Sequence, residues 1–265
     1  KGTNIVNVID MSEGEKITSV ISVAGFEENE YFVMVTRHGI VKRANIKDFE
    51  YQRKGGKIAI HLDDGDELVF VKHTTGENDV ILATREGKAV RFKETDARVM
   101  GRAARGVRGI KLRGDDVVIG AAIVEEDRHL ITLTEKGYGK RNSFDIYTAH
   151  SRGTMGIICQ KITAKTGYLA GIASVGENDD IMIITNDGTM IRTPVSGIPV
   201  YEGNNTAGVI IMRLAADAHI ISFAAVKSEE EEASKIEAAV GEAEQTGEEI
   251  MTDRQEEIDA SDDDI

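Results

Sequence analysis

The sequence repeats itself about every fifty residues, and no other feature limits its fold as strongly. Four stretches follow one plan: FVMVTRHGIVKR ending at Arg43, VILATREGKAVR at Arg91, LITLTEKGYGKR at Arg141 and IMIITNDGTMIR at Arg192. In each, an apolar run meets a polar turn with glycine, then a second run whose fourth residue past the glycine is Arg. The turn glycines Gly39, Gly87, Gly137 and Gly188 lie 48, 50 and 51 residues apart. Turns such as Arg37-His38-Gly39 and Asn186-Asp187-Gly188 place glycine where a tight hairpin needs a positive φ. Each unit continues through a polar, often basic connection to a second glycine and then, six residues later, an aliphatic residue. These pairs are Gly56 and Leu62, Gly106 and Leu112, Gly156 and Ile162, Gly208 and Leu214. A last apolar run closes each unit: ELVFV, DVVIGAAIV, YLAGIASV and HIISFAAV.

Four strands at this period form one small sheet that cannot bury its own faces, so the units must stack radially as blades. The expected fold class is all-β and propeller-like, with four-stranded blades over about 29–78, 79–127, 128–178 and 179–226. A content of 27 Gly against 2 Pro suits many short strands joined by tight turns. The opening, KGTNIVNVIDMSEGEKITSVISV, matches the second half of a unit, with Gly2 and Val8 standing where Gly56 and Leu62 stand. Residues 1–28 are therefore expected to be a partial blade of a longer protein, and the blade domain spans 1–226. From Lys227 the pattern stops. With no aromatic residue and few aliphatics, 227–265 is expected to be a disordered acidic tail.

The formal net charge of −14 is unevenly placed. The tail holds 16 Asp/Glu and 3 Lys/Arg, which leaves 30 acidic and 29 basic residues before it. The blades are thus near neutral overall, yet their cations cluster. Nine lie between Lys88 and Arg113 against Glu94 and Asp96, and seven between Arg37 and Lys57 against Asp48 and Glu50. Because cations recur at matching places in successive units, stacking would align them as a band on the rim, suited to a long polyanion. Arg on an outer strand is also often no more than a solvated face, and a propeller-like protein-interaction module is the alternative of a different class.

Other chemistry is thin. Gly55-Gly56 lacks the Gly-Lys-Ser/Thr ending of a nucleotide-binding loop, and DDGDE at Asp63–Glu67 lacks calcium-loop spacing and reads as a turn. No pairing of nucleophile and base, no His/Cys cluster and no repeated carboxylate supports an enzyme, a metal or a cofactor, a carbohydrate-processing propeller included. The single Cys159, inside GIICQKI, reads as a buried strand residue in a reducing, cytoplasmic setting. No apolar run is long enough for a membrane helix.

The repeat, GYGKR at Gly137–Arg141, RGVRGIKL at Arg105–Leu112 and the acidic tail together resemble the C-terminal domain of the DNA gyrase A subunit. The resemblance covers the whole chain. It implies a six-bladed β-pinwheel that wraps double-stranded DNA around a basic perimeter with positive handedness and supports ATP-dependent negative supercoiling. The implied partners are the gyrase B subunit, together with a second copy of the A subunit, in a heterotetramer, with the strand-cleaving Tyr and the ATPase outside this chain. The family's signature box, roughly Q-R-R-G-G-R/K-G, is matched by Gln52, Arg53, Lys54, Gly55, Gly56 and Lys57 and departs at Ile58. In the family the box belongs to the first blade, whereas this stretch falls in the third. The implied DNA contacts are those six residues with Lys42, Arg43, Arg91, Arg102, Arg105, Arg108, Lys140, Arg141 and Arg152. The corresponding domain of topoisomerase IV is the near alternative, and the tail and GYGKR favour gyrase.

Overall fold

The computed structural model describes residues 7, 9, 11, 14–23, 25–51 and 56–228. Gln52, Arg53, Lys54 and Gly55 of the box-like stretch, and the tail from residue 229, lie outside the described residues. Fifteen strands follow in order: β1 Tyr31–Thr36, β2 Ile40–Asn45, β3 Leu68–Thr74, β4 Asp79–Thr84, β5 Lys88–Lys93, β6 Val107–Arg108, β7 Val118–Val124 and β8 His129–Thr134. Then come β9 Tyr138–Ser143, β10 Ile157–Ile158, β11 Leu169–Val175, β12 Asp180–Thr185, β13 Met190–Pro194, β14 Val209–Ile210 and β15 Ile220–Val226. Among the described residues no α-helix occurs, and no strand occurs before Tyr31, where the partial blade was expected.

The strands make four antiparallel sheets, ordered β3-β1-β2-β6, β7-β4-β5-β10, β11-β8-β9-β14 and β15-β12-β13 from inside to outside. The all-β blade architecture read from the repeat is present. Its pairing differs from four strands supplied by each unit, because the outermost strand always arrives from the following repeat. Val107 and Arg108 pair with Val41 and Ile40, Ile157 and Ile158 with Ala89 and Lys88, Val209 and Ile210 with Gly139 and Tyr138. The fourth sheet has three strands among the described residues.

The repeated glycines explain this exchange. The carbonyl of each of the first three turn glycines accepts two N–H groups of the arriving segment: Gly39 from Gly109 and Ile110, Gly87 from Cys159 and Gln160, Gly137 from Ile211 and Met212. At Gly137, with φ +81°, a Cβ would stand 2.1 Å from the Met212 carbonyl oxygen, so close seating as well as the turn demands glycine. Gly188, in the fourth sheet, has nothing within 4 Å of its Cβ position.

The core lies between sheets. Val80 and Leu82 of β4 join Val33, Val35 and Val41 on one side, while Ile81 and Ala83 join Leu130, Phe144 and Cys159 on the other. A strand covered on both faces needs no polar alternation, which is why DVILAT reads as a continuous apolar run. Burying Val80, Ile81 and Leu82 contributes about 1.5–3 kcal/mol each. In the last sheet, β12 reverts to alternating burial and β13 is largely exposed, as expected for a blade covered on one face. The inner strands pack in series, β3 on β7, β7 on β11 and β11 on β15. Together they line a cavity bordered by Phe70, Ile119, Ala170 and Phe223 among others.

Candidate nucleic-acid interface

The exchanged segments form the rim. Successive segments are hydrogen-bonded to one another at equivalent places: His61 N donates to the Ala104 carbonyl, Lys111 N to Thr154 and Lys161 N to Thr206, at 3.3, 2.8 and 3.1 Å. The rim is thus a belt of backbone linking all four units.

Exposure divides the candidate cations into two groups. Arg105 and Arg108 are exposed on the segment around β6, and Arg102 is half-buried beside them. Lys111 and Arg113, counted within the basic cluster but absent from the expected contacts, are exposed on the same segment. Arg105 clamps Asp63 through Nε and Nη2, with Nε 2.7 Å from each carboxylate oxygen. The guanidinium holds the Asp63 carboxyl below the usual carboxylate range. Asp63 therefore orients Arg105, while the Arg105 side chain stays 53% exposed. Lys57 is half-buried, its Nζ 3.0 Å from the Asp48 carbonyl, and Gly56 is exposed. Arg152 is half-buried and donates to the Asp96 and Arg108 carbonyls, both at 3.0 Å, so it joins neighbouring segments.

The remaining candidates are turned inward, contrary to the expectation that their recurrence marks the rim. Lys42 and Lys140 are fully buried. The Lys42 ammonium donates to the carbonyls of Ala59, at 2.6 Å, and Arg102. The Lys140 ammonium donates to the Asn204 and Gly203 carbonyls and the Thr206 hydroxyl. Carbonyl acceptors make these buried charges tolerable, and desolvation lowers both from the ordinary lysine value, Lys140 to about 8. As placed, neither ammonium reaches a phosphate at the surface.

The Arg four residues past each of the first three turn glycines is a staple between units. Arg91 donates to Asp79 at 2.8 Å and to the Phe144 carbonyl at 2.9 Å. Arg141, 3% exposed, donates to the Ile198 carbonyl at 2.6 Å and to Glu177 at 2.5 Å. Arg43 lies 3.8 Å from the buried Glu94 carboxylate and 4.7 Å from the centre of the Tyr31 ring. These acceptors belong largely to the next unit, so the repetition reflects the joining of successive blades. Gly106 also has a packing role: at φ +102° a Cβ would stand 2.7 Å from the Val41 carbonyl oxygen.

Asp66 of the DDGDE turn accepts backbone N–H groups of His38, at 2.8 Å, and Glu67, at 2.9 Å, which fastens the turn of β1 and β2. Among the described residues no group of three His, Cys, Asp or Glu side chains could hold a metal ion.

Stacked blades that trade outer strands, with cations gathered on the traded segment, define a β-pinwheel with a basic rim. A family model described as DNA gyrase C-terminal domain, beta-propeller, matches residues 1–24, 30–75, 78–125, 128–175 and 179–227. The chain belongs to the DNA gyrase C-terminal domain family. The DNA gyrase A subunit of Salmonella typhimurium is 41% identical over 247 residues, covering 92% of this chain and 28% of the relative. Its Escherichia coli counterpart is 40% identical over 244 residues, covering 91% of this chain and 28% of the relative. The chain thus spans little more than a quarter of these relatives. Among solved structures, a DNA gyrase A C-terminal domain aligns with TM-score 0.76 at 26% identity, covering 85% of this chain and 75% of the other. The C-terminal domain of a DNA topoisomerase IV aligns with TM-score 0.81 at 26% identity, covering 90% of this chain and 75% of the other.

Proposed function

We propose that the chain is the DNA-wrapping module of a gyrase A subunit, binding double-stranded DNA along its rim with little regard to sequence. The observation that carries this reading is the separation of roles among the cations. Buried ones hold the blades together, whereas Arg102, Arg105 and Arg108, with Lys111 and Arg113, gather on one exchanged segment that ordinary folding does not require to be basic. Phosphate contacts spread along a curved rim release counterions at each step, and their sum offsets the several kcal/mol that bending a duplex costs. The module would serve a cytoplasmic holoenzyme of two A and two B subunits whose cleavage and ATPase chemistry reside in other regions. Gln52–Lys57 would add contacts at the neighbouring segment. The topoisomerase IV reading is favoured by the structural likeness to that enzyme's domain, but the 40–41% identical relatives are gyrase subunits.

Titrating the chain with a fluorescent duplex at several salt concentrations tests this. Log K should fall steeply with log salt, by about 0.9 per phosphate neutralised. Reversing Arg102, Arg105 and Arg108 to Glu should weaken binding far more than Arg192→Glu. A flat salt dependence, or equal effects of the two variants, would overturn the reading.

A further inference from the structure

A groove on the rim has for its walls two consecutive connecting segments, Gly56–Ile58 on one side and Gly101–Ala104 on the other. Its walls carry Lys57, Arg102 and the exposed Ile58, and the other lining residues are glycine and alanine. The Lys42 ammonium bonds both segments: it donates to the carbonyl of Ala59, one residue past the first wall, and to that of Arg102 in the second. The backbone bond from His61 N to the Ala104 carbonyl joins the same segments further along. The exposed Arg105–Asp63 pair joins the same segments from outside, whereas the Lys42 donor reaches both from inside the blade, its own side chain fully buried.

Its equivalents differ in an informative way. Lys140 is buried as deeply, but its acceptors, Gly203, Asn204 and Thr206, all lie on one segment. The second unit has Val90 at this place, 3% exposed, and there Arg152 ties the Asp96 and Arg108 carbonyls instead. A buried ammonium is costly unless fully bonded, so a stabilising role alone would be met as well by an apolar side chain. What an apolar side chain cannot do is fix the spacing of two loops by their carbonyls.

We infer that Lys42 is a positioning residue for DNA: it contacts no phosphate but staples the two walls of the rim groove, setting where Lys57, Arg102 and Arg105 meet the duplex backbone. This rests on the DNA-wrapping reading and adds to it a residue with no access to the ligand. An unstapled groove lets the 101–104 loop move away from the 56–58 segment, and phosphates that were met together are then met one at a time.

The test compares Lys42→Met with Lys140→Met in the full chain, reading thermal melting together with affinity for a fluorescent duplex across salt concentrations, below both melting transitions. Thermal melting establishes that both variants are folded at the temperature of the binding measurement. Lys42→Met should bind several-fold more weakly, with a salt slope shallower by about one phosphate's share, about 0.9. Lys140→Met should bind as wild type does. In an Arg102→Ala, Arg105→Ala background, Lys42→Met should have little further effect on affinity. Should Lys42→Met not fold, Lys42→Gln, which keeps an amide donor on a side chain one bond shorter, is read in its place and should show the same slope change in weaker form. Wild-type affinity and slope in the folded Lys42 variant, or equal weakening by the Lys140 variant, overturns the inference while leaving DNA binding intact. Absence of salt-dependent binding by the wild type overturns the functional reading itself.

Discussion

Cys159 shows how much one residue's surroundings decide. It is fully buried against Ile81, Leu130 and Phe144, and burial pushes its thiol up to about 12. A raised thiol value means that the folded state holds the proton longer than the unfolded chain, whose thiols ionise near 8.5. The corresponding stability is complete below about pH 8.5 and is lost as pH rises toward 12, at a limiting slope of about 1.4 kcal/mol per pH unit. Lys140, held at about 8, acts in the opposite sense, so the thiol is read from the difference between wild type and Cys159→Ala and not from wild type alone. Denaturant melts at pH 8 and pH 10 should show that difference, and a thiol reagent should modify Cys159 in denaturant but not in the native protein. Its buried place was legible from GIICQKI. The inward turn of Lys42, Arg43, Lys140 and Arg141 was not, because recurrence at a fixed period marks whatever every unit needs. A staple and a ligand contact recur alike, and the difference lies in the neighbouring blade, which a single unit's sequence does not contain.

At the scale of elements, the period revealed the strands and their turns, since each apolar run and each turn glycine belongs to one unit. It did not reveal which unit completes which sheet. A two-residue strand such as β6 leaves too short a pattern to read, and its partner, Ile40–Val41, lies in the preceding repeat. The glycines hold the evidence of that pairing. Gly106→Ala would place a methyl group 2.7 Å from the Val41 carbonyl at φ +102°, and should cost about 3 kcal/mol by prising the exchanged strand from β2. Gly56→Ala, at φ +70° with nothing within 4 Å, should cost about 1 kcal/mol. Denaturant titration of the two variants checks the contrast, and similar costs would contradict a seating role for Gly106.

For the whole molecule, the sequence's sign asymmetry sets an intramolecular competition: a tail with 16 acidic and 3 basic residues is tethered to a rim whose cations await an anion. The first tail residue belongs to the fold, since Lys227 lies 3.3 Å from Asp179 and its carbonyl accepts from Arg192. A truncation should therefore end at Ser228. Removing 229–265 should tighten duplex binding most at low salt, where tethered charges are least screened, and an unchanged Kd at every salt concentration would exclude the competition. The traded strands also impose a schedule on synthesis. As the chain emerges, the first sheet gains its outer strand only when Val107–Arg108 has left the ribosome, by which time the second sheet is itself waiting for Ile157–Ile158. Each blade is thus finished by a sequence made after the next blade has begun, and a nascent chain stalled anywhere in the repeats carries an unsealed edge.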